Sequence, residues 1–199
     1  NRHELFTGRA VFTYAEWAPL PATEIILSET LTNAGYVTML IADTPHILQN
    51  GANYQRGFSG FDWIRGQEND RLRTDPRNVR LPAAREKLRG PDRAVTQHLR
   101  NTSTWRQEAD RFAPTTFTRA AQWLERNHDN GPFFLHVDTF DPHEPWDPPE
   151  WYVDKYDPGY SGDKVTYPIY GYWQDFMSRS ELRHAHACYC GEVSMVDHW

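Results

Sequence analysis

The sequence predicts an α/β fold, with a mostly parallel central sheet flanked by helices. Three observations carry that prediction. A helical spacing of apolar residues runs into a short, uninterrupted apolar stretch. The same pairing recurs further along the chain, and both apolar stretches end in loops rich in polar, reactive side chains.

The first pairing opens with Pro21 and Thr23, after which Leu27, Leu31 and Ala34 recur at helical spacing and Gly35 supplies a stop. The run YVTMLIA, Tyr36 to Ala42, reads as a buried strand ended by DTPH. Residues 65–112 are polar and Arg-rich, with a helix expected from Asp92 to Phe112. The second pairing begins with Phe117, Ala120, Ala121 and Leu124 at helical spacing. HDNG closes that helix, and PFFLHVD is the second buried strand. Residues 144–178, rich in proline and aromatic side chains, read as an excursion over the site and not as a core element. In the last segment, Glu181 to Trp199, Leu182, Ala185, Tyr189, Val193 and Val196 recur at helical spacing. Residues 1–199 together read as one domain or part of a larger one.

Composition narrows the function. Lys and Arg number 21 against 27 Asp and Glu, a formal net charge of −6, and there is no basic stripe, which argues against nucleic acid as the partner. No apolar run is long enough to span a bilayer, so no membrane partner is expected. Cys188 and Cys190 are two apart in a helical segment and point to different sides, which argues against a mutual disulfide. His184 and His186 share that spacing, which scatters the four around the helix and argues against a metal cluster there.

The stretch DTFDPHEPWDPPEWY, residues 138–152, directly follows the second strand and holds His143 between two prolines. In open α/β sheets ligands bind at the carboxyl ends of strands, so Asp43, Thr44, His46, Asp138, Asp141 and His143 fall near one another if the strands are neighbours. Several readings compete. Asp43 and Thr44 either contact substrate or make an Asx-type turn before Pro45. Asp138 and Asp141 are either a carboxylate pair for glycoside hydrolysis or ties for loop backbone. Asp147 and Glu150 read as solvated, and Arg65 and Glu68 as structural ion-pair members. Trp146, Trp151, Tyr152 and Trp173 either stack on sugar rings, as in a non-catalytic sugar-binding module, or form a small core.

Five segments, in order, resemble the type I sulfatase family. NRHELFTGR resembles the second part of its signature, with Arg2 on the signature arginine, Leu5 and Phe6 on its apolar pair, and Thr7-Gly8 at its end. Asn1 stands where a small residue is usual. GYVTMLIADTPH, GFDWIRGQE, FFLHVDTFDPHEPWDPPEWY and YCGEVSMVDHW resemble later family segments. The resemblance implies an alkaline-phosphatase-like α/β domain, present here in part. It implies hydrolysis of a sulfate ester, small or on a glycan, by a formylglycine nucleophile expected upstream of Asn1 and a calcium ion whose ligands are expected outside this chain. Arg2, His46 and His143 then take catalytic roles, and Asp43 and Thr44 bind substrate, while the piece by itself is expected to be inactive. Where many sulfatases have Gly-Lys-Trp-His, this chain has Ala42-Asp43-Thr44-Pro45-His46. Asp43-Thr44 there is similar to phosphonate monoester hydrolases of the superfamily, which makes a phosphonate monoester or phosphodiester the alternative substrate.

Overall fold

The structure, a computed structural model, describes residues 2–10, 13, 16 and 18–199; Asn1 lies outside the described residues. The chain divides into two compact units, Asn1–Ile64 with Thr116–Thr139, and Arg65–Thr115 with Phe140–Trp199.

The first unit is a three-stranded parallel sheet with helices. Helix α1 (Arg2–Thr7) closes at Gly8, whose φ of +67° suits glycine and whose N–H bonds Glu4 O at 2.8 Å. Helix α2 (Leu27–Asn33) leads into β1 (Val37–Ala42), as the sequence predicts. A short helix α3 (Pro45–Leu48) follows, with proline at its first position, and then β2 (Gly60–Trp63). Strand β3 (Phe133–Asp138) completes the sheet in the order β2-β1-β3, with Ala42 opposite Asp138 in the β1–β3 register. The two apolar runs are therefore neighbours, and their carboxyl ends lie side by side.

The core of this unit gathers Phe6, Leu20, Ile26, Leu40, Ile47 and Tyr54. Phe6 meets Tyr54, Phe58 and His136 edge-on at ring separations of 5.8, 5.8 and 5.1 Å. That plug orients α1, and Arg2, four residues before Phe6, falls on the same helix face.

The long helix before β3, α5 (Phe112–Asn127), is rotated from the expected stripe. Thr116, Ala120 and Trp123 are its buried positions in this unit, whereas Ala121 and Leu124 face solvent and Phe117 is half-buried. Two interactions set the rotation: Trp123 packs edge-on against Phe133 at 5.5 Å, and the Thr116 hydroxyl donates to the buried Asp43 carboxylate at 2.8 Å.

The second unit is built from helices and long connections. The helix expected from Asp92 to Phe112 is broken into a wide turn (Pro91–Val95), α4 (Thr96–Thr102) and a tight turn at Glu108–Asp110. Asn101 explains the break: its amide donates to Gly66 O at 2.7 Å and Asp70 O at 2.8 Å, and the Thr-Ser-Thr that follows favours local bonds over helix. Residues 144–178 contain α6 (Glu150–Val153) and bury Val153, Val165 and Tyr167, so this segment, expected to stay out of the core, contributes to the core of this unit.

Helix α7 (Arg179–His198) starts from a capping box between Ser178 and Glu181. Its inward residues include His184, Cys188, Glu192 and Met195; of the expected stripe Ala185 is buried, Leu182 and Val196 are half-buried, and Tyr189 and Val193 are exposed. Gly191 admits the backbone of α6, since a Cβ there would meet Val153 N at 3.2 Å. No helix among the described residues is long and apolar enough to cross a membrane.

Candidate functional site

In the first unit the ends of β1 and β3 hold one connected network. Asp43 N donates to Asp138 O at 3.1 Å, carrying the ladder one residue past β1. Arg2 grips Asp138 with a fork, Nε to Oδ2 at 2.6 Å and Nη2 to Oδ1 at 2.8 Å, and Thr44 Oγ1 donates to Oδ1 at 2.5 Å. Asp43 lies one step behind and accepts from Thr116 and Thr139 hydroxyls at 2.8 and 2.7 Å. Asp43 and Thr44 are fully buried.

Burial by itself would raise the Asp138 carboxyl. The nearby His136 imidazole, the Arg2 fork and the Thr44 hydroxyl outweigh burial and hold it well below the usual carboxylate range. His136 Nε2 stands 3.7 Å from Oδ2, too far for a hydrogen bond, so most of the lowering belongs to Arg2.

His46 is half-buried on α3 between the buried Pro45 and Ile47. With Ala18, Pro19, Gln49 and Asn50 it lines a cleft of about 160 Å³, to which no residue of the Arg2 network contributes.

The second unit holds His143. Its ring stacks on Phe140 with centroids 4.0 Å apart, and its Nδ1 is 2.8 Å from Glu144 O. The side chain remains 40% exposed, so the imidazole is fixed on one side and open on the other.

The loop beneath it is pinned at two aspartates. Asp141 accepts from Gln67 Nε2 at 2.7 Å and from the Ala113 N–H at 3.2 Å. Asp147 accepts from His98 at 3.0 Å, its backbone carbonyl accepts from Arg111, and so it is not a solvated surface charge. Trp146 ties both its nitrogens, backbone N–H to Thr166 O at 2.9 Å and indole N–H to Pro142 O at 3.1 Å. Trp151, by contrast, is exposed. Arg65 pairs with Asp70 through two bonds of 2.7 Å, and Glu68 accepts from Tyr167 Oη at 2.6 Å.

Burial pushes the Asp141 carboxyl up to about 6, against its two donors, and the charge of Asp147 adds to the rise. Glu192 on α7 is pushed up in the same way, by burial first and then by Asp141 and Asp147. A carboxyl whose folded pKa exceeds its unfolded value favours the fold when protonated. That contribution is full below about pH 4, near the unfolded carboxyl value, and is lost as pH rises through about 6. Between pH 4 and pH 7 the wild type should therefore lose about 2 kcal/mol of unfolding free energy relative to Asp141→Asn. Urea melts at four pH values measure this, and a difference flat with pH would refute it.

Among the described residues, no group of three or more His, Cys, Asp or Glu is arranged to hold an ion, and both oxygens of Asp138 are taken by Arg2 and Thr44. The described residues do not fit a calcium centre. On α7, His184 and Cys188 face inward while His186 is exposed.

A network anchored by the arginine of NRHELFTG, at the ends of two parallel strands, agrees with a match that extends over the whole described chain. The family described as Sulfatase matches residues 2–199. The chain belongs to the sulfatase family. This sulfatase chain is 27% identical over 92 residues to an arylsulfatase of Clostridium perfringens (strain 13 / Type A), which covers 38% of the chain and 18% of that relative. In fold it resembles the crystal structure of the phosphonate monoester hydrolase of Agrobacterium radiobacter, with a TM-score of 0.60, 16% identity, and coverage of 99% of this chain and 47% of that one. The sulfatase chain thus spans less than half the length of either relative. Its architecture is the alkaline-phosphatase-like α/β fold, a parallel sheet flanked by helices.

Sequence reasoning did not single out Thr116 and Thr139, which hold Asp43, nor Gln67, which holds Asp141. Their signal is weak: each has polar neighbours, Thr116 in PTTFT, Gln67 in RGQEND and Thr139 directly after Asp138, and only the fold reveals its partner.

Proposed function

We propose that the protein to which this chain belongs hydrolyses a sulfate ester, on a small molecule or a glycan. The observation that carries this reading is the Arg2–Asp138–Thr44 network at the carboxyl ends of β1 and β3. A guanidinium fixed by two bonds of its own, with a side chain still 35% exposed, is suited to stabilise an anionic sulfate oxygen as charge develops. Asp43 and Thr44, given their burial, serve by holding this frame. His143, with Nδ1 engaged, presents Nε2, which as part of an imidazolium gives a proton to the leaving oxygen or to a sulfate oxygen and in the neutral ring accepts one. His46, in its cleft, is assigned the second proton-transfer role. The calcium ion and formylglycine implied by family membership have no ligand or precursor assigned in this chain, and no step here is derived through them.

A second reading, hydrolysis of a phosphonate monoester or phosphodiester, is favoured by Asp43-Thr44 in place of the Lys-containing family segment, together with the fold likeness to the Agrobacterium enzyme. Assay of the full-length enzyme on matched aryl sulfate and aryl phosphonate esters separates the two. The sulfate reading expects kcat/KM at least about tenfold higher on the sulfate, a difference of about 1.4 kcal/mol in transition-state binding. The reverse preference would replace it with the second reading.

A further inference from the structure

The imidazole of His143 is held by more than its own loop. Two acceptors face one ring nitrogen: Glu144 O lies 2.8 Å from Nδ1, and the Glu144 carboxylate, through Oε2, lies 3.3 Å away. A nitrogen facing two acceptors carries the proton, which leaves Nε2 as the unprotonated nitrogen of the neutral ring. The Glu144 side chain is itself constrained. Arg89 donates to it through Nη2, and the two side chains are only 23% and 14% exposed.

Arg89 in turn cannot wander. Its guanidinium carbon lies 4.1 Å from the ring centroids of both Tyr167 and Tyr170, and its backbone N–H donates to Tyr167 O at 2.8 Å. Tyr167 is buried and its hydroxyl donates to the buried Glu68 at 2.6 Å. Burial and that bond push the phenol pKa up, so the hydroxyl stays a donor at all working pH values. From Glu68 to His143 the contacts run without a gap, and the members between them except the exposed Tyr170 are largely withdrawn from water, while His143 itself stays open on one side.

We propose that Glu144, clamped by Arg89, is a positioning residue that fixes the tautomer and orientation of the His143 ring, with Tyr167 and Glu68 as the outer support of the clamp. The arrangement has the form of a proton-transferring histidine oriented by a carboxylate, with an arginine orienting the carboxylate in turn. Arginine is the residue such a clamp needs, because its flat guanidinium can lie against aromatic rings and still donate through the N–H groups of its edge, which a lysine ammonium cannot do. The catalytic consequence rests on the proton-transfer role given to His143 above; the tautomer does not.

The test uses full-length protein labelled with 15N-histidine, with the His143 signals assigned by their loss in His143→Gln. At a pH where the ring is neutral, side-chain 1H–15N correlations should show the Nδ1–H tautomer in the wild type. In Glu144→Gln and in Arg89→Lys the balance should move to the Nε2–H form that free histidine side chains favour, with circular dichroism unchanged. In the same variants kcat should fall about tenfold or more while KM moves less than about twofold, as expected when a residue acts through another one. Tyr167→Phe, which keeps the stacked ring and removes only the hydroxyl, should give a smaller shift in the same direction. An unchanged His143 tautomer in folded Arg89→Lys and Glu144→Gln overturns the proposal. Should Glu144→Gln fail to fold, an unchanged tautomer in Arg89→Lys and Tyr167→Phe overturns it equally. Full hydrolysis by His143→Ala would instead end the catalytic reading of His143 and leave the tautomer result standing.

Discussion

His143→Ala in the full-length enzyme should lower turnover of the preferred ester by about 100- to 10,000-fold, the span a positioned proton-transfer group contributes. The loss should fall on kcat, with folding little affected. The loop does not depend on the ring: Asp141 is held by Gln67 and the Ala113 N–H, Asp147 by His98 and Arg111, and Trp146 by Thr166 and Pro142. Truncation gives up the Phe140 stack and the Nδ1 bond of a 40%-exposed side chain, a cost of about 1 kcal/mol or less. Leaving-group dependence sharpens the prediction. If His143 protonates the leaving oxygen, the defect should be largest for esters of weakly acidic alcohols and smallest for esters of acidic phenols, which depart without help. His128→Ala, which changes an exposed histidine on the other unit, is the control and should leave turnover unaltered. A His143→Ala enzyme within about threefold of wild type on both kinds of ester would remove the residue from the mechanism.

What the sequence made legible, and what it did not, divides along physical lines. The β1 and β3 runs could be read because each is a short, mostly apolar run; β1 is largely buried as expected, whereas β3 is only half-buried over most of its length, with Phe133 exposed. Their adjacency was a condition that the sequence left open; the β1–β3 pairing meets it, and with it comes the gathering of Asp43, Thr44 and Asp138 at the strand ends. The four-residue β2, Gly60–Trp63, was too short and too mixed to announce itself. The two long helices were found, and Ala120 and Ala185 of the expected stripes are buried, but the rest of each stripe is half-buried or turned outward, for the same reason each time. Apolar spacing names the greasiest face, whereas the fold buries Thr116 on α5 and His184 and Glu192 on α7 because polar partners or neighbouring buried groups draw them in. Tyr189 and Val193 stay outside. Pairings were the least legible feature. Arg2 and Asp138 stood out singly, but the bidentate bond joins residues 136 apart in sequence, and no local pattern encodes it.

That bond gives the second large expected effect. Arg2→Ala should destabilise the protein by about 2 kcal/mol at pH 7, because it leaves the buried Asp138 carboxylate with the Thr44 hydroxyl as its remaining close donor; a fully buried pair would lose about 3–5 kcal/mol, and the 35% exposure of the Arg2 side chain lowers the figure through solvent screening. The pH dependence follows from the lowered Asp138 pKa. A carboxylate depressed in the folded state stabilises the fold above its unfolded pKa, near 4, and loses that contribution as pH falls towards the folded value. The gap between wild type and Arg2→Ala should therefore be widest near neutrality and narrow below about pH 4. Chemical denaturation at pH 7 and pH 3 reads this directly, and a gap that widens in acid would contradict the assignment. Two further variants separate holding the fold from meeting substrate. Arg2→Lys restores the charge without the fork and should recover part of the stability but little of the turnover. Asp138→Asn removes the buried charge and loosens Arg2 without leaving an unpaired carboxylate, so it should cost less stability than Arg2→Ala. It should nonetheless lower turnover, because the guanidinium that Asp138 aims is then free to swing.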